Sequence, residues 1–487
     1  MRARVLTAAA LLLTGLGVGT LPAQAAGKVY HLDCGAATNG NGIDQPWNSV
    51  SGPSNFQFSP GDTLLIKGGT KACSGTLSPK GSGTVTAPIT IDAEPGSGRP
   101  VIQGGTSTSD VAALVLRDQS NWTINNLTLT GGYYRSLWIT GTAPGTLTGF
   151  SLSNLDVSGN GLASGAWVSG TGAVVIEPCS ADTKIAGVSL TGVDAHDTHN
   201  VGIQIGYSQG HSGGSANTPD CQMGITGFAP KDGVSEVNIS DGDDYLNSAA
   251  GIWLTGASDV TLTGNHLHAN GTPGGLAGEG AWWSNTYNVT ATENYAFNNK
   301  RGASDGGGLD ADANSELSTI RGNHIYDNDS YCIAAFGQVN SVTKDVIVED
   351  NHCTDNGQNP AAEDEGDLLL WTSSGSTISN YRATGNVIKR TAPGPVFRAR
   401  SAAVDYSKNY YFSANTVTHP GNDELLIDFD DVDTTTGTGR PEVNHNTYLF
   451  TGTPTATFQY GGEPYDSISA WVGAGHDVDS TFGPASS

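Results

Sequence analysis

Apolar and polar residues alternate along most of the chain, in short stretches that recur. Four segments share one order: an alternating stretch, an asparagine, and a second alternating stretch. They are residues 259–271, 288–300, 317–329 and 345–357. Alternation with a period of two indicates β-strands that bury one face. We interpret each segment as two strands joined by a bend. At that bend the asparagine is expected to form a side-chain ladder and to tolerate a left-handed backbone.

A second kind of short strand lies between these segments. It occurs eleven times, at residues 113–117, 136–140, 173–177, 202–206, 251–255, 280–284, 308–312, 332–336, 367–371, 396–400 and 426–430. One short strand, one bent double strand and a turn form the rung of a parallel β-helix, because stacked rungs bury an axial core that no rung buries alone. We therefore predict an all-β chain with about ten rungs and capped ends. The alternative, a β-sandwich, would show hairpin turns and no fixed asparagine offset.

The two ends of the chain differ from the repeats. Residues 1–25 combine a charged start, a short apolar run and an Ala-Gln-Ala site, which predicts a secretory signal peptide rather than a membrane span. Residues 26–105 are predicted to form an N-terminal cap and the first strands. Residues 106–431 would form the β-helix with its groove, and residues 432–487 the C-terminal strands and cap. We therefore expect a secreted, extracellular protein with no membrane partner.

Composition narrows the possible partners. The chain carries a net charge of −25, which argues against nucleic acid because nucleic-acid binding needs a basic surface. Its six cysteines are an even number in a chain predicted to be exported, and this favours disulfides. We expect neighbours in the sequence to pair, which gives Cys34–Cys73, Cys179–Cys221 and Cys332–Cys353.

Several of these features together resemble one known superfamily. The stretches PGDTLLIKGGT (60–70) and APITIDA (87–93), with the asparagine-marked rungs, resemble the pectin-lyase-type right-handed parallel β-helix proteins. The resemblance implies a right-handed helix. It also implies a secreted, monomeric enzyme that acts on a polysaccharide, either as a lyase or as a glycosidase. Fold alone does not decide between these reactions.

Alternation within the short strands predicts which side chains point outward. The outward column combines tryptophans, carboxylates and arginines, which favours a sugar-binding groove over a plain solvated face. The candidate substrate-binding residues are Glu177, Trp253, Trp282, Arg301, Asp367, Trp371 and Arg400. Each has a structural alternative: the tryptophans could pack beneath a loop, and the arginines could pair with carboxylates of a neighbouring rung.

The segment KRGASDGGGLDAD (300–312) holds the candidate catalytic and metal residues. Asp310 and Asp312 project from one face of a strand, with Cα atoms about 6.5–7 Å apart. With Asp305, such a pair suits Ca²⁺, and it equally suits the acid and base of a glycosidase. The glycines would leave room for a ligand to approach the backbone, and Lys300 and Arg301 stand in the preceding turn. A structural turn or a structural ion is the alternative.

Arg398 is the candidate base of a lyase. In pectate-lyase-like enzymes, Ca²⁺ held by outward aspartates neutralises the substrate carboxylate and an outward Arg or Lys removes a proton. PVFRARSAAVDYSKNYYFSANT (395–416) resembles their arginine-bearing segment, although Val396 and Phe397 separate Pro395 from the arginine. The first expectation is β-elimination of a uronic-acid-containing glycan. The alternatives are a glycoside hydrolase using the paired aspartates and a non-catalytic glycan-binding β-helix.

Overall fold

The computed structural model describes most of the chain and shows an almost purely β protein. The described residues are 27–69, 71–160, 168–207, 216–218, 220–221, 228–272, 277–302, 304–338, 340–359, 366–373, 375–401, 410–429 and 442–485. Two short helices, Ser51–Ser54 and Ile468–Gly473, lie near the two ends. No helix in this part of the chain has the length and hydropathy needed to cross a membrane. The predicted signal peptide lies outside the described residues.

The short strands stack into one sheet, called here the short-strand sheet. Twelve strands of the described chain pair in parallel, and a thirteenth adds in antiparallel at the end. They are Leu114–Arg117, Arg135–Gly141, Gly172–Pro178, Val201–Gly206, Ile252–Thr255, Ala281–Ser284, Leu309–Ala311, Tyr331–Gly337, Gly366–Thr372, Phe397–Ser401, Glu424–Phe429, Ala456–Tyr460 and Glu463–Tyr465. All eleven predicted short strands are present, and Ala456–Tyr460 is one more than the sequence pattern indicated.

The bent double strands form a second, parallel sheet, called here the long sheet. It contains 26 strands. They are Val29–Leu32, Thr63–Ile66, Cys73–Ser74, Ile89–Ala93, Val101–Gln103, Trp122–Asn125, Thr128–Thr130, Gly145–Ser158, Thr183–His196, Val234–Ser240, Asp243–Tyr245, Ala257–Thr263, His266–His268, Tyr287–Thr292, Tyr295–Phe297, Glu316–Arg321, His324–Tyr326, Val342–Glu349, His352–Thr354, Thr377–Thr384, Val387–Lys389, Tyr410–Ser413, Thr416–His419, Glu442–Asn444, Thr447–Phe450 and Thr481–Pro484. A two-strand pair, Val168–Ser169 with Ala216–Asn217, stands apart.

The core lies along the axis between the two sheets. The predicted inward residues of the short strands are in register on successive rungs, and all are buried in one hydrophobic cluster. They are Ile203, Ile252, Ala281, Leu309, Ile333, Leu368, Phe397 and Ile427. This register fixes which side chains of the neighbouring positions point away from the core, and it confirms the all-β parallel β-helix.

The asparagine ladder is longer than the sequence suggested, and its backbone differs. Asn265 Nδ2 donates to Asn294 Oδ1 at 2.9 Å, and the same bond repeats rung by rung as far as Asn446. The left-handed residue is the one before each asparagine, as at Gly264 and Glu293, not the asparagine itself. The prediction of a left-handed asparagine was therefore wrong, because the side-chain amide serves the ladder while the preceding residue makes the bend.

Three disulfides close loops within the described chain. They join Cys34 to Cys73, Cys179 to Cys221 and Cys332 to Cys353, with S–S distances of 1.93, 1.97 and 1.96 Å. The predicted pairing of sequence neighbours is thus confirmed. The described C-terminal residues 442–485 add further strands to both sheets before the helix Ile468–Gly473. The predicted domain boundaries stay a prediction.

Candidate active site

A cluster of carboxylates lies on the outer face of the short-strand sheet, on consecutive rungs. Asp310 is in register with Trp282 of the preceding strand, and Asp312 follows two residues later on the same face. Glu279 precedes the Trp282 strand. All three side chains are buried, with Asp310 1% and Asp312 4% exposed. The carboxyl groups are therefore held in a site from which bulk water is largely removed.

Burial governs the protonation of this cluster. Burial raises the pKa of Asp312 to about 7, because the charged form loses its hydration. The Ala313 N–H and the Gln338 side chain oppose this rise, and the charge of Asp305 adds to it. Burial also raises the pKa of Glu279 well above its ordinary value, helped by the charges of Asp305 and Asp312. Such a cluster holds at least one proton near neutral pH, and its members titrate together.

Tyr331 links Glu279 to the glycine-rich turn. Its hydroxyl donates to Glu279 Oε1 at 2.9 Å, and burial with the charges of Glu279 and Asp310 raises its own pKa. A side chain at Gly307 would meet the Tyr331 ring at 2.0 Å. The expectation that these glycines leave room for a ligand is thus not met at Gly307, because the phenol ring takes that space and reaches Glu279.

The tryptophans next to the cluster face each other. Trp253 and Trp282 stack at 5.1 Å between ring centroids, and they pack with Val201, Ala249 and Ala250. Their side chains are 1% and 7% exposed. This is the packed arrangement named as the alternative, so their stacking against a sugar stays a prediction.

The two cations of the turn before the cluster meet an aspartate of the next rung. Lys300 Nζ lies 3.1 Å from Asp329 Oδ1, and the Arg301 N–H donates to Asp329 Oδ2 at 2.9 Å. Since Asp329 neutralises Lys300, the structure gives this lysine a turn-stabilising contact. Asp305 lies in the same turn with a left-handed backbone (φ 59°), and its charge acts on Glu279 and Asp312.

Glu177 belongs to a different buried network, four rungs away along the sheet. Its Oε1 accepts hydrogen bonds from Arg135 Nη2 at 3.0 Å and from Trp138 Nε1 at 3.1 Å. Arg135 also pairs with Asp220 at 2.9 Å and lies 3.9 Å from the Trp138 ring. The structure therefore does not bring Glu177 together with the aspartates of the cluster.

Asp367 and Trp371 occupy the ends of one short strand and differ in surroundings. Asp367 is fully buried and pairs with Arg390 at 3.3 Å. Its carboxylate therefore belongs to a buried ion pair and does not line an open groove. Trp371 is half-buried, packs edge-on against Phe336 at 5.8 Å, and is in register with Arg400 of the next strand. Trp371 and Arg400 remain on the outer face, as predicted from the strand alternation.

Arg398 lies three rungs from Asp310. At about 4.8 Å per rung, the two residues are about 14 Å apart along the sheet. Arg398 Nε contacts Asp428 Oδ2 at 3.0 Å, and the two are in register on adjacent strands. Arg398 thus pairs with a carboxylate of the neighbouring rung, which is the structural alternative given for the outward arginines. The distance of about 14 Å between the candidate base and the aspartates is also longer than one sugar ring.

The carboxylates were also tested as a calcium site. Within the described part of the chain, one set of three acidic, Cys or His ligand atoms lies within 4.8 Å of each other, namely Glu177, Cys179 and Cys221. Its cysteines are joined in a disulfide, so it cannot act as a thiolate site. The oxygens of Asp305, Asp310 and Asp312 do not converge to this extent, whereas Ca²⁺ gathers its ligands at 2.3–2.6 Å. Calcium binding stays a prediction.

Two residues of the cluster were missed from the sequence. Glu279 precedes its strand, so alternation within the strands does not indicate it. A signal was present, since Glu279 is the single carboxylate between Asp259 and Glu293 and stands two residues before the Ala281–Ser284 strand. Tyr331 gave no such signal, because only the structure shows that its ring crosses Gly307 to reach Glu279.

A family model and one solved structure with a TM-score above 0.5 agree on the fold. Residues 172–380 match the family model described as right handed beta helix region. A GH136 lacto-N-biosidase from Eubacterium ramulus shares 17% identity, with 80% of this chain and 68% of that chain covered and a TM-score of 0.58. The pectate lyase Pel9A shares 14% identity over 81% of this chain and 76% of its own, with a TM-score of 0.37. No curated protein sequence matches the chain.

The chain therefore has parallel register, an axial core and an asparagine ladder at the bend, and it matches right-handed β-helix proteins. The chain folds as a right-handed parallel β-helix.

Proposed function

We propose that this protein is a secreted glycoside hydrolase whose acid and base come from the cluster of Glu279, Asp310 and Asp312. The observation that carries the proposal is the buried Asp312, whose pKa is raised to about 7. Hydrolysis of a glycosidic bond requires one carboxyl group that is protonated at working pH and a second that is ionised. Two neighbouring carboxyl groups in different surroundings can divide these two roles between them.

The roles follow from the surroundings of each group. Asp312, protonated up to about pH 7, would give its proton to the oxygen of the leaving sugar. Asp310, on the same strand face, would be the second carboxylate: it would take a proton from the water that forms a bond to the sugar carbon as the bond to the leaving oxygen breaks. Glu279, whose pKa burial raises well above its ordinary value, would stay protonated beside the pair, and Tyr331, which donates to its Oε1, would position it. The order of proton transfers follows general acid–base catalysis and needs no metal.

A polysaccharide lyase is the second candidate, and one observation weakens it. Its proposed base, Arg398, is committed to Asp428 at 3.0 Å. It is also three rungs from the aspartates that would hold the cation. The lacto-N-biosidase that shares the fold bears the name of a glycan-cleaving enzyme, which is consistent with a carbohydrate substrate. The three disulfides are consistent with export.

One assay separates the candidates. The protein is incubated with neutral and acidic glycans, each with Ca²⁺ or with a chelator. We expect new reducing ends without near-UV absorbance, unaffected by the chelator, and lost in Asp312→Asn. Unsaturated products that absorb in the near UV would establish the lyase instead. Retention of a glycan without cleavage would establish a binding module and overturn the proposal.

A further inference from the structure

A second groove lies on the outer face of the long sheet, on a different face of the molecule from the carboxylate cluster. It crosses five strands of that sheet and encloses a cavity of about 510 Å³. Its centre is a column in direct register: Thr319, Ile347, Arg382 and Tyr411. At about 4.8 Å per strand, this column is about 14 Å long. Neither the repeat pattern nor the proposed active site accounts for the groove.

Leu317 forms part of its floor in a conformation that leucine disfavours. The equivalent left-handed position is Asn288 on the preceding rung and Asp345 on the following one, with φ of 56° and 58°. Leu317 has φ 59°, and its side chain is 40% exposed. Asparagine and aspartate adopt this conformation readily, whereas for leucine it costs about 1–3 kcal/mol. An exposed apolar side chain held under strain gains nothing from core packing here, so folding does not explain it.

The groove contains both a hydrogen-bond donor and a hydrogen-bond acceptor, of opposite charge. Arg382 forms no ion pair with any described residue; its side-chain contact is from Nε to Thr384 Oγ1 at 3.4 Å. Asp345 Oδ1 accepts from Asn380 Nδ2 at 2.8 Å. Tyr411 is 37% exposed and follows Arg382 in the column. The groove therefore offers a cationic donor, a carboxylate acceptor, an aromatic ring and an aliphatic floor on four neighbouring strands.

We propose that this groove is a non-catalytic binding site for a neutral oligosaccharide. The choice of a sugar rests on the proposed function, and the site deepens it by holding the polymer on a second face. Sugar hydroxyls both donate and accept, which suits Arg382 and Asp345 together, and the C–H face of a pyranose packs on Leu317 and Tyr411. A polyanionic chain fits less well, because the protein carries a net charge of −25 and repels it at long range.

The test uses the full chain with Asp312→Asn, so that no ligand is cleaved. Mannotriose, cellotriose and chitotriose are titrated by calorimetry, with trigalacturonate as the anionic counterpart. At least one neutral trisaccharide is expected to bind. Arg382→Met and Leu317→Asn should each weaken that binding at least tenfold. Leu317→Asn should also keep or raise the melting temperature, since asparagine relieves the backbone strain.

Leu246 supplies a matched control. It is also an exposed leucine in the left-handed conformation, with φ 55° and 51% exposure, but it lies outside the groove. Leu246→Asn should change stability like Leu317→Asn and leave binding unchanged. The proposal is overturned if no neutral trisaccharide binds, if binding survives Leu317→Asn and Arg382→Met, or if only trigalacturonate binds through Arg382. Binding through Arg382 in a protein that cleaves no glycan would overturn the hydrolase and leave the groove standing.

Discussion

Glu177 and Asp312 lie on the same outer face of the short-strand sheet, and burial raises the pKa of each to about 7. Their neighbours differ in sign. Glu177 has the buried Arg135 at 3.0 Å, which partly offsets the loss of hydration. Asp312 has mainly other carboxylates around it, and the charge of Asp305 drives its pKa further up. A raised pKa alone therefore does not mark a reactive group; the charge of the surrounding side chains separates a structural pair from a proton donor.

The largest expected effect is on activity at the carboxylate-only cluster. Asp312→Asn removes the transferable proton and should lower kcat by about a hundredfold to ten-thousandfold, with kcat/KM falling equally. The melting temperature should stay the same or rise, because a neutral amide replaces a group that folding must keep protonated. Steady-state kinetics and thermal unfolding measure both. Activity near that of the parent protein would remove Asp312 from the mechanism.

The network of Arg135, Glu177 and Asp220 should respond in the opposite way, with a loss of stability and no loss of activity. Arg135→Met leaves Glu177 and Asp220 without their cation and should cost about 3–5 kcal/mol of unfolding free energy. Denaturant unfolding measures this loss. Enzyme that remains folded should keep its kcat, since Arg135 belongs to the network four rungs from the cluster. A selective loss of kcat in folded Arg135→Met would join the two clusters into one site and break the comparison.

The pH dependence of stability should also distinguish the cluster. Asp312 is charged in the unfolded chain above about pH 4, but it stays protonated in the folded state up to about pH 7. Folding therefore takes up a proton in this window, so stability falls as pH rises, by at most about 1.4 kcal/mol per pH unit. Above the folded pKa the loss is complete. Asp312→Asn should flatten the profile between pH 4 and 7, and hydrolysis by the parent protein should decline as pH rises through about 7.

A raised pKa should also lower stability near neutral pH at Asp244, beside the core, by a smaller amount. Burial raises the pKa of Asp244 well above its ordinary value, and the charges of Asp243 and Asp194 act in the same direction. Its register neighbour on the next rung is the core residue Leu267. Asp244→Asn removes a charge that folding must neutralise, and should stabilise the protein at pH 7 by about 1 kcal/mol. Unchanged stability at pH 7, measured beside pH 4 as the control, would contradict this.

The smallest effect is expected at Arg398. Arg398→Lys keeps the positive charge toward Asp428 but loses the guanidinium geometry. We expect kcat and KM to change less than about threefold and the melting temperature to fall slightly. A selective drop in kcat with KM retained would instead indicate a base, and would return the lyase to first place.

Much of the fold could be read from the sequence because the signals are local and repeated. Eleven short strands, the inward residues and the disulfide pairing follow from alternation and order along the chain. The site was only half accessible by the same means. Asp310 stands within a strand and Asp312 directly after it. Glu279 stands before a strand, and its contact with Tyr331 crosses two rungs. Strand alternation also cannot distinguish an outward residue in water from one covered by other chain, which is why Trp253 and Asp367 read as groove residues.

A second ladder of the same kind joins Asn247, Asn270, Asn299, Asn328 and Asn356, and both asparagine ladders have a direction. In each, every Nδ2 group donates toward the later rung, so the amide dipoles add along the axis as peptide dipoles do in a helix. Both end on an aspartate: Asn446 donates to Asp477 at 3.2 Å, and Asn356 meets Asp367 at 3.5 Å. A carboxylate accepts from the last amide and offers no donor to a following rung. Each ladder is therefore terminated chemically at its aspartate. At Asp367 the ladder ends while the sheet continues with Phe397–Ser401, so a rung can follow without extending the amide array.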